Sequence, residues 1–132
     1  MKQLLIVAHG SRREKSNNEV RVLAEKVAAD SPLLSDRVLV AFLEFASPSI
    51  SAAVDICIAR GVKELVVFPY FLSTGNHVVK DLPREIHNAT NNWTDKKITI
   101  LPHLGASDEM ASLIATCVSR TYQGIDLLSQ SR

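Results

Sequence analysis

A change of hydrophobic period, repeated along the chain, constrains the fold more than any other feature. Leu4-Leu5-Ile6-Val7-Ala8 is apolar throughout, as a strand covered on both faces must be. It gives way to Val20, Leu23, Ala24 and Val27, one stripe of a helix that Ser31-Pro32 would end. Val38–Leu43 reads as a second buried strand, followed by a helical stripe of Ile50, Ala53, Val54, Cys57 and Ile58. There Ser47 is the expected N-cap, Pro48 the first helical residue and Gly61 the C-terminal cap. Leu65–Phe68 reads as a third strand, and Asp81-Leu82-Pro83 would open a third helix carrying Ile86 and Ala89. Lys97–Leu101 is the fourth strand. Met110, Leu113, Ile114, Cys117 and Val118 mark the last helix, with Ser107 as its cap and Asp108 and Glu109 near its positive end.

The order βαβαβαβα predicts an α/β fold: an open, mainly parallel four-stranded sheet with helices on both faces. A chain of 132 residues can bury roughly two thirds of its unfolded surface around one core. We therefore expect one domain over 1–126 and a frayed polar tail over 127–132. Charged residues at 22% make this an ordinary globular composition, and a formal net charge of +1 argues for neither a nucleic acid nor a membrane partner. Two cysteines without a CxxC pair exclude a disulfide scaffold and a cysteine-held zinc or iron–sulfur centre. Both cysteines lie on apolar stripes and read as small buried hydrophobes. No apolar run approaches the roughly 18 residues of a membrane span, and the first one is too short for a signal-peptide core, so the expected location is the cytoplasm. Trp93, in the polar stretch Asn91–Thr94, carries no clear message.

Parallel sheets of this kind bind ligands outside the carboxyl ends of their strands. The first strand ends in His9-Gly10-Ser11-Arg12, the second in Glu44, the third in Pro69 to His77 and the fourth in Pro102-His103. Each residue has an ordinary reading when taken singly. A strand-end histidine such as His103 is often only a loop residue, His87 belongs to an exposed helix face, and Glu44 is a favourable charge near a helix start. Together, His9, Glu44 and His77 come from three strand ends that the topology brings to one rim. Two imidazoles and a carboxylate suit a divalent first-row metal, and neutral imidazole also accepts a proton near neutral pH. His9-Gly10-Ser11-Arg12-Arg13 is neither GxGxxG nor a phosphate-cradling loop, and neither Ser11 nor Ser73 sits in a GxSxG elbow. A histidine phosphatase would need Arg before His9, where this chain has Ala8.

Ala8-His9-Gly10-Ser11-Arg12, Phe42-Leu43-Glu44 with Pro48, and Phe71-Leu72 followed by Gly75-Asn76-His77 and Asp81-Leu82-Pro83 together resemble the class II tetrapyrrole chelatases. The nearest likeness is to the short CbiX-type sirohydrochlorin cobaltochelatases and their ferrochelatase relatives, and it runs from the first strand to the last helix. The resemblance implies ATP-independent insertion of a divalent metal, Co²⁺ or Fe²⁺, into a sirohydrochlorin-type tetrapyrrole, with the metal as substrate and no permanently bound cofactor. It implies His9, His77 and Glu44 as the catalytic and metal-holding groups. Ser11, Arg12, Tyr70, Ser73, Thr74 and Gly75 would meet the macrocycle, with Arg13, Lys15, Lys80 and Arg84 as further cations for its carboxylates. Two-lobed members are built from two similar halves; this chain is similar to one half, which implies a homodimer. Some longer relatives carry a His-rich segment or an iron–sulfur motif, and this chain has neither. A carrier that binds metal or tetrapyrrole at the same rim without turnover is the rival reading.

Overall fold

The computed structural model describes residues 2–31 and 38–130, and of these the backbone alone at 76–79 and 123–130. Strands β1 (Lys2–Ala8), β2 (Val38–Phe42), β3 (Glu64–Pro69) and β4 (Lys97–Ile100) alternate with helices α1 (Glu14–Asp30), α2 (Ile50–Ala59), α3 (Asn76–Thr90) and α4 (Glu109–Gln130). All strand pairs are parallel, in the order β2-β1-β3-β4. The unbroken apolar run of β1 follows from its place between β2 and β3, with both its faces covered: Leu4 to Ala8 are all buried. β4 is an edge, and it carries Lys97, which pairs with Glu64 across the sheet at 3.5 Å.

Period-two alternation divides the side chains between two cores. On one face Leu5, Val7, Leu65 and Val67 pack against Val54 and Cys57 of α2 and Leu82 and Ile86 of α3. On the other, Leu4, Ile6, Ala8, Val40 and Phe42 pack against Ala24, with Val20 and Val27 beside it on α1. Trp93 is buried in the first core. Its polar neighbours concealed this in the sequence, and only the tertiary fold turns the ring inward.

Several expected boundaries are corrected. The N-cap of α2 is Ser49, whose Oγ accepts the Ala52 N–H at 3.1 Å, and not Ser47. Pro48 follows a cis bond and gives its carbonyl to the Phe42 N–H at 2.9 Å, so the helix opens two residues later than the Ser-Pro pair suggests. Gly61 ends α2 as expected: its φ is +77°, and bonds from Gly61 N–H to Ile58 O and from Val62 N–H to Cys57 O close the turn. Helix α3 opens at Asn76 and not at Asp81, with Pro83 inside it. Burial of Leu82 and Ile86 offsets the hydrogen bond that Pro83 removes, and Pro83 itself is exposed. Cys57 is fully buried, and burial pushes its thiol up from the ordinary value. Cys117 corrects the expectation of burial, because α4 presents it to solvent. The expected tail, 127–132, is helical to Gln130, and its last two residues lie outside the described residues. Among the described residues no helix is long and apolar enough to cross a membrane.

Trp93→Ala removes the largest ring from the first core. We expect a loss of about 3–5 kcal/mol in urea unfolding; a loss below about 1 kcal/mol would contradict the packing described here.

Candidate functional site

In a sheet ordered β2-β1-β3-β4, α1 carries the chain outward from β1 to β2, whereas α3 carries it from β3 to β4 on the other side. The connections therefore diverge between β1 and β3, and a crevice opens outside their carboxyl ends. The four strand ends are joined there. Beyond β1 and β2 the ladder continues as Leu43 N–H to Ala8 O at 2.9 Å and Glu44 N–H to His9 O at 3.0 Å. Tyr70 N–H donates to Val7 O at 2.8 Å, and Gly105 N–H donates to Phe71 O at 3.0 Å. His9 is exposed, and its ring lies 4.5 Å from the Phe71 ring, tilted by 58°. Phe71 itself is buried, so it is a fixed wall for the imidazole.

Gly10 makes this approach possible. Its φ is +88°, and a Cβ there would lie 1.8 Å from the Glu44 carbonyl oxygen. Only a residue without a side chain lets the turn after β1 rest on the turn after β2. That contact sets the backbones of His9 and Glu44 side by side, with the Glu44 side chain exposed.

The turn after β1 is held from below by Asn17, a residue sequence reasoning passed over. Asn17 is buried; its Oδ1 accepts the Ser11 N–H at 2.9 Å, and its Nδ2 donates to Ser11 O at 2.8 Å and to Glu14 Oε2 at 3.1 Å. The signal was present: the stripe Val20, Ala24, Val27 continued one turn backward reaches Asn17. The hydrogen bond from Asn17, then that from Arg21, holds the Glu14 carboxyl below its usual range. The bracing is therefore complete at and above the ordinary carboxylate range and fades only as pH falls through that lowered value. Arg21 also donates to Ser47 O at 3.1 Å, tying α1 to the loop after β2.

The remaining expected site residues take up varied places. Ser11 is half-buried, and its Oγ accepts the Arg13 N–H at 3.0 Å. The Arg12 guanidinium lies 4.7 Å from the centroid of the Phe45 ring, a cation–π contact at the open rim. Phe45 is exposed and has a φ of +65°, a conformation that a bulky residue adopts only when its surroundings hold it there. Tyr70 is set apart from the imidazole: it packs on the face that carries α1, and its neighbour Phe71 is the ring beside His9. Ser73 and Gly75 are exposed and Thr74 half-buried, between Phe71 and the start of α3. Gly75 is the N-cap of α3 at φ −79° with open space around it. His77 falls in the first turn of α3, and its side chain lies outside the described residues. His103, half-buried, precedes the short 3₁₀ turn Leu104–Ala106. Arg13, Lys15 and Lys80 are exposed, and Arg84 pairs with Asp81 at 4.0 Å. Among the described residues no three of His, Cys, Asp and Glu come together as a metal cage.

Comparison with known proteins gives a consistent result. The family model described as CbiX matches residues 3–121. A protein of Methanococcus maripaludis named sirohydrochlorin cobaltochelatase is 39% identical over 84 residues, 64% of this chain and 57% of its own length. One of Arabidopsis thaliana named sirohydrochlorin ferrochelatase, chloroplastic, is 31% identical over 84% of this chain and 48% of its own length. This chain thus spans about half the length of these curated relatives. The crystal structure of a putative cobalamin biosynthesis CbiX protein from Marinobacter aquaeolei superposes with a TM-score of 0.77 at 24% identity, over 93% of this chain and 98% of that one, a likeness of fold.

Two substitutions test how the rim is built. Asn17→Ala leaves the Ser11 N–H and carbonyl without their partner and should cost about 1–3 kcal/mol in urea unfolding. Gly10→Ala should cost more, because the added methyl meets the Glu44 carbonyl and the positive φ is strained as well. Unchanged unfolding midpoints for both would refute the support described.

Proposed function

The chain belongs to the CbiX family, and from that membership and the form of the rim we propose that it inserts a divalent metal, Co²⁺ first and Fe²⁺ next, into sirohydrochlorin without ATP, as a cytoplasmic homodimer. The observation that carries this reading is the junction of the β1, β2 and β3 ends, where the His9 ring stands on Phe71 and the Glu44 backbone is bonded to that of His9.

Chelation exchanges two pyrrole N–H protons for one metal ion. The protein must therefore bring a partly dehydrated cation to the ring, take protons, and release the product. In this reading His9 and His77 hold the incoming ion, and one of them takes a pyrrole proton. Neutral imidazole performs both tasks. Glu44 orients an imidazole or joins the ligand set, and its charge offsets that of the cation. Two imidazoles and one carboxylate leave coordination positions open, which suits delivery of the ion better than a closed four-ligand cage. The carboxylates of the macrocycle fall to Arg12, displayed on the Phe45 ring, and to the positive end of α3 beyond Ser73-Thr74-Gly75. This chain supplies one such rim and resembles one half of the two-lobed members, so we propose that two copies pair with their rims facing.

Incubation with sirohydrochlorin and Co²⁺, Fe²⁺ or Ni²⁺ in parallel, followed by visible spectroscopy, tests the activity. We expect repeated turnover, fastest with Co²⁺. Conversion that stops at one ring per site would identify a carrier, and no spectral change with any metal would overturn the proposal. His9→Ala and His77→Ala should each lower the rate by about a hundredfold or more with the circular dichroism unchanged. Wild-type turnover in either variant would remove that residue from the mechanism. Glu44→Gln should raise the KM for metal while tetrapyrrole binding is kept; equal loss of both would make Glu44 structural.

A further inference from the structure

We propose that Phe45 and Leu72 hold the flat of the tetrapyrrole on either side of His9. The inference rests on the activity proposed above and names the side chains that carry its organic substrate.

The order of the strands sets the three residues in a row. Strand β1 lies between β2 and β3. The turn after β1, with His9, is therefore flanked by the turn after β2, with Phe45, and by the loop after β3, with Leu72. Both flanking side chains are large, apolar and open: Phe45 is 55% and Leu72 69% exposed. Taken singly, an exposed apolar side chain is ordinary. These two are set apart by the backbone that presents them.

Phe45 has a φ of +65°. The turn after β2 takes a left-handed residue there, and Gly or Asn would fill the place with less strain. Among the described residues the other non-glycine with a positive φ is Asp95, whose short polar side chain suits that conformation. A phenyl ring does not suit it, and core packing does not account for a ring that is more than half exposed. The turn is held from three sides: the Glu44 carbonyl rests on Gly10, Arg21 Nη2 donates to Ser47 O, and the Phe42 N–H donates to Pro48 O. Leu72 is fixed in a matching way. Its carbonyl oxygen lies 1.6 Å from where a Cβ of Gly105 would stand, and Gly105 N–H is bonded to Phe71 O. On both flanks, then, a carbonyl pressed against a glycine fixes the chain where an apolar side chain meets water. Contacts fixed in advance spare a ligand the cost of ordering them.

The chemistry of the macrocycle fits this row. An imidazole that hands over a metal must face the centre of the ring, so its neighbours on either side meet the outer pyrroles. Those pyrroles are apolar on their faces and bear carboxylates at the edge. Phe45 and Leu72 offer the apolar contact. The Arg12 guanidinium, 4.7 Å from the Phe45 centroid, brings N–H donors to the edge beside it. A flat apolar ligand with an anionic margin is what such a row matches.

Titration of metal-free sirohydrochlorin into the protein, read by its visible absorption, tests the cradle. Phe45→Ala and Leu72→Ala should each raise the Kd about tenfold, and the KM for sirohydrochlorin with it, while the KM for Co²⁺ holds. Phe45→Gly should bind as weakly as Phe45→Ala and yet unfold at a higher urea concentration, because glycine relieves the positive φ. A glycine variant no more stable than the alanine one removes the strain from which the inference starts and overturns it. Sedimentation equilibrium of the variants should match that of the wild type. Association weakened in step with binding would make the pair a contact between copies and overturn the cradle. A wild-type Kd in both alanine variants overturns it too and leaves the proposed activity standing. Wild type that binds sirohydrochlorin without turnover overturns that activity and not the cradle, whose readout is the Kd. No binding by the wild type overturns both.

Discussion

One close backbone approach underlies the site. At Gly10 the chain has no side chain, its φ is positive, and the Glu44 carbonyl lies where a Cβ would stand. The turn after the central strand can therefore rest on the turn after its neighbour, and the parallel ladder runs on past the formal strand ends. The imidazole of His9 and the backbone of Glu44 take their positions from that contact. Asn17 supports it from beneath by using both ends of its amide on Ser11. A buried amide that satisfies a donor and an acceptor at once rigidifies a turn more than either bond alone.

The two faces of the sheet are finished unequally, and this inequality separates the roles of neighbouring residues. The face that carries α2 and α3 is closed by a full apolar core and by Trp93. The face that carries α1 keeps an open groove. Strand alternation sends Phe71 to the closed side, where it backs His9, and Tyr70 to the open side, where it lines the groove. Adjacent aromatic residues thus serve different surfaces: one backs the His9 ring at the rim, the other lines the groove beside α1.

The chemistry proposed for the rim asks for restraint in holding the metal. A cation that must be handed to a macrocycle cannot be held in a saturated ligand sphere, and selectivity among Co²⁺, Fe²⁺ and Ni²⁺ does not follow from imidazole and carboxylate donors alone. Exposed donors on a rigid base suit the task. His9 is open to solvent, and its ring lies tilted against a buried one.

Hydrophobic period alone was enough to predict four strands, four helices and the parallel α/β class, because covered strands need unbroken apolar runs and helices need stripes. The same reading placed His9 and Glu44 beyond strand ends, since a parallel sheet sends every strand's carboxyl end to one edge. It missed what depends on contacts between distant segments. The cap of α2 moved to Ser49 because the Pro48 carbonyl is bonded to β2, and α3 began before Pro83 because burial of Leu82 and Ile86 outweighed a local breaker. Trp93 was turned inward and Asn17 bound to a turn six residues away in sequence. An apolar stripe on α4 was legible from the residues, but whether anything in the same chain covers it was not. Period reports which face of an element is apolar; only the path of the chain through space decides what that face meets.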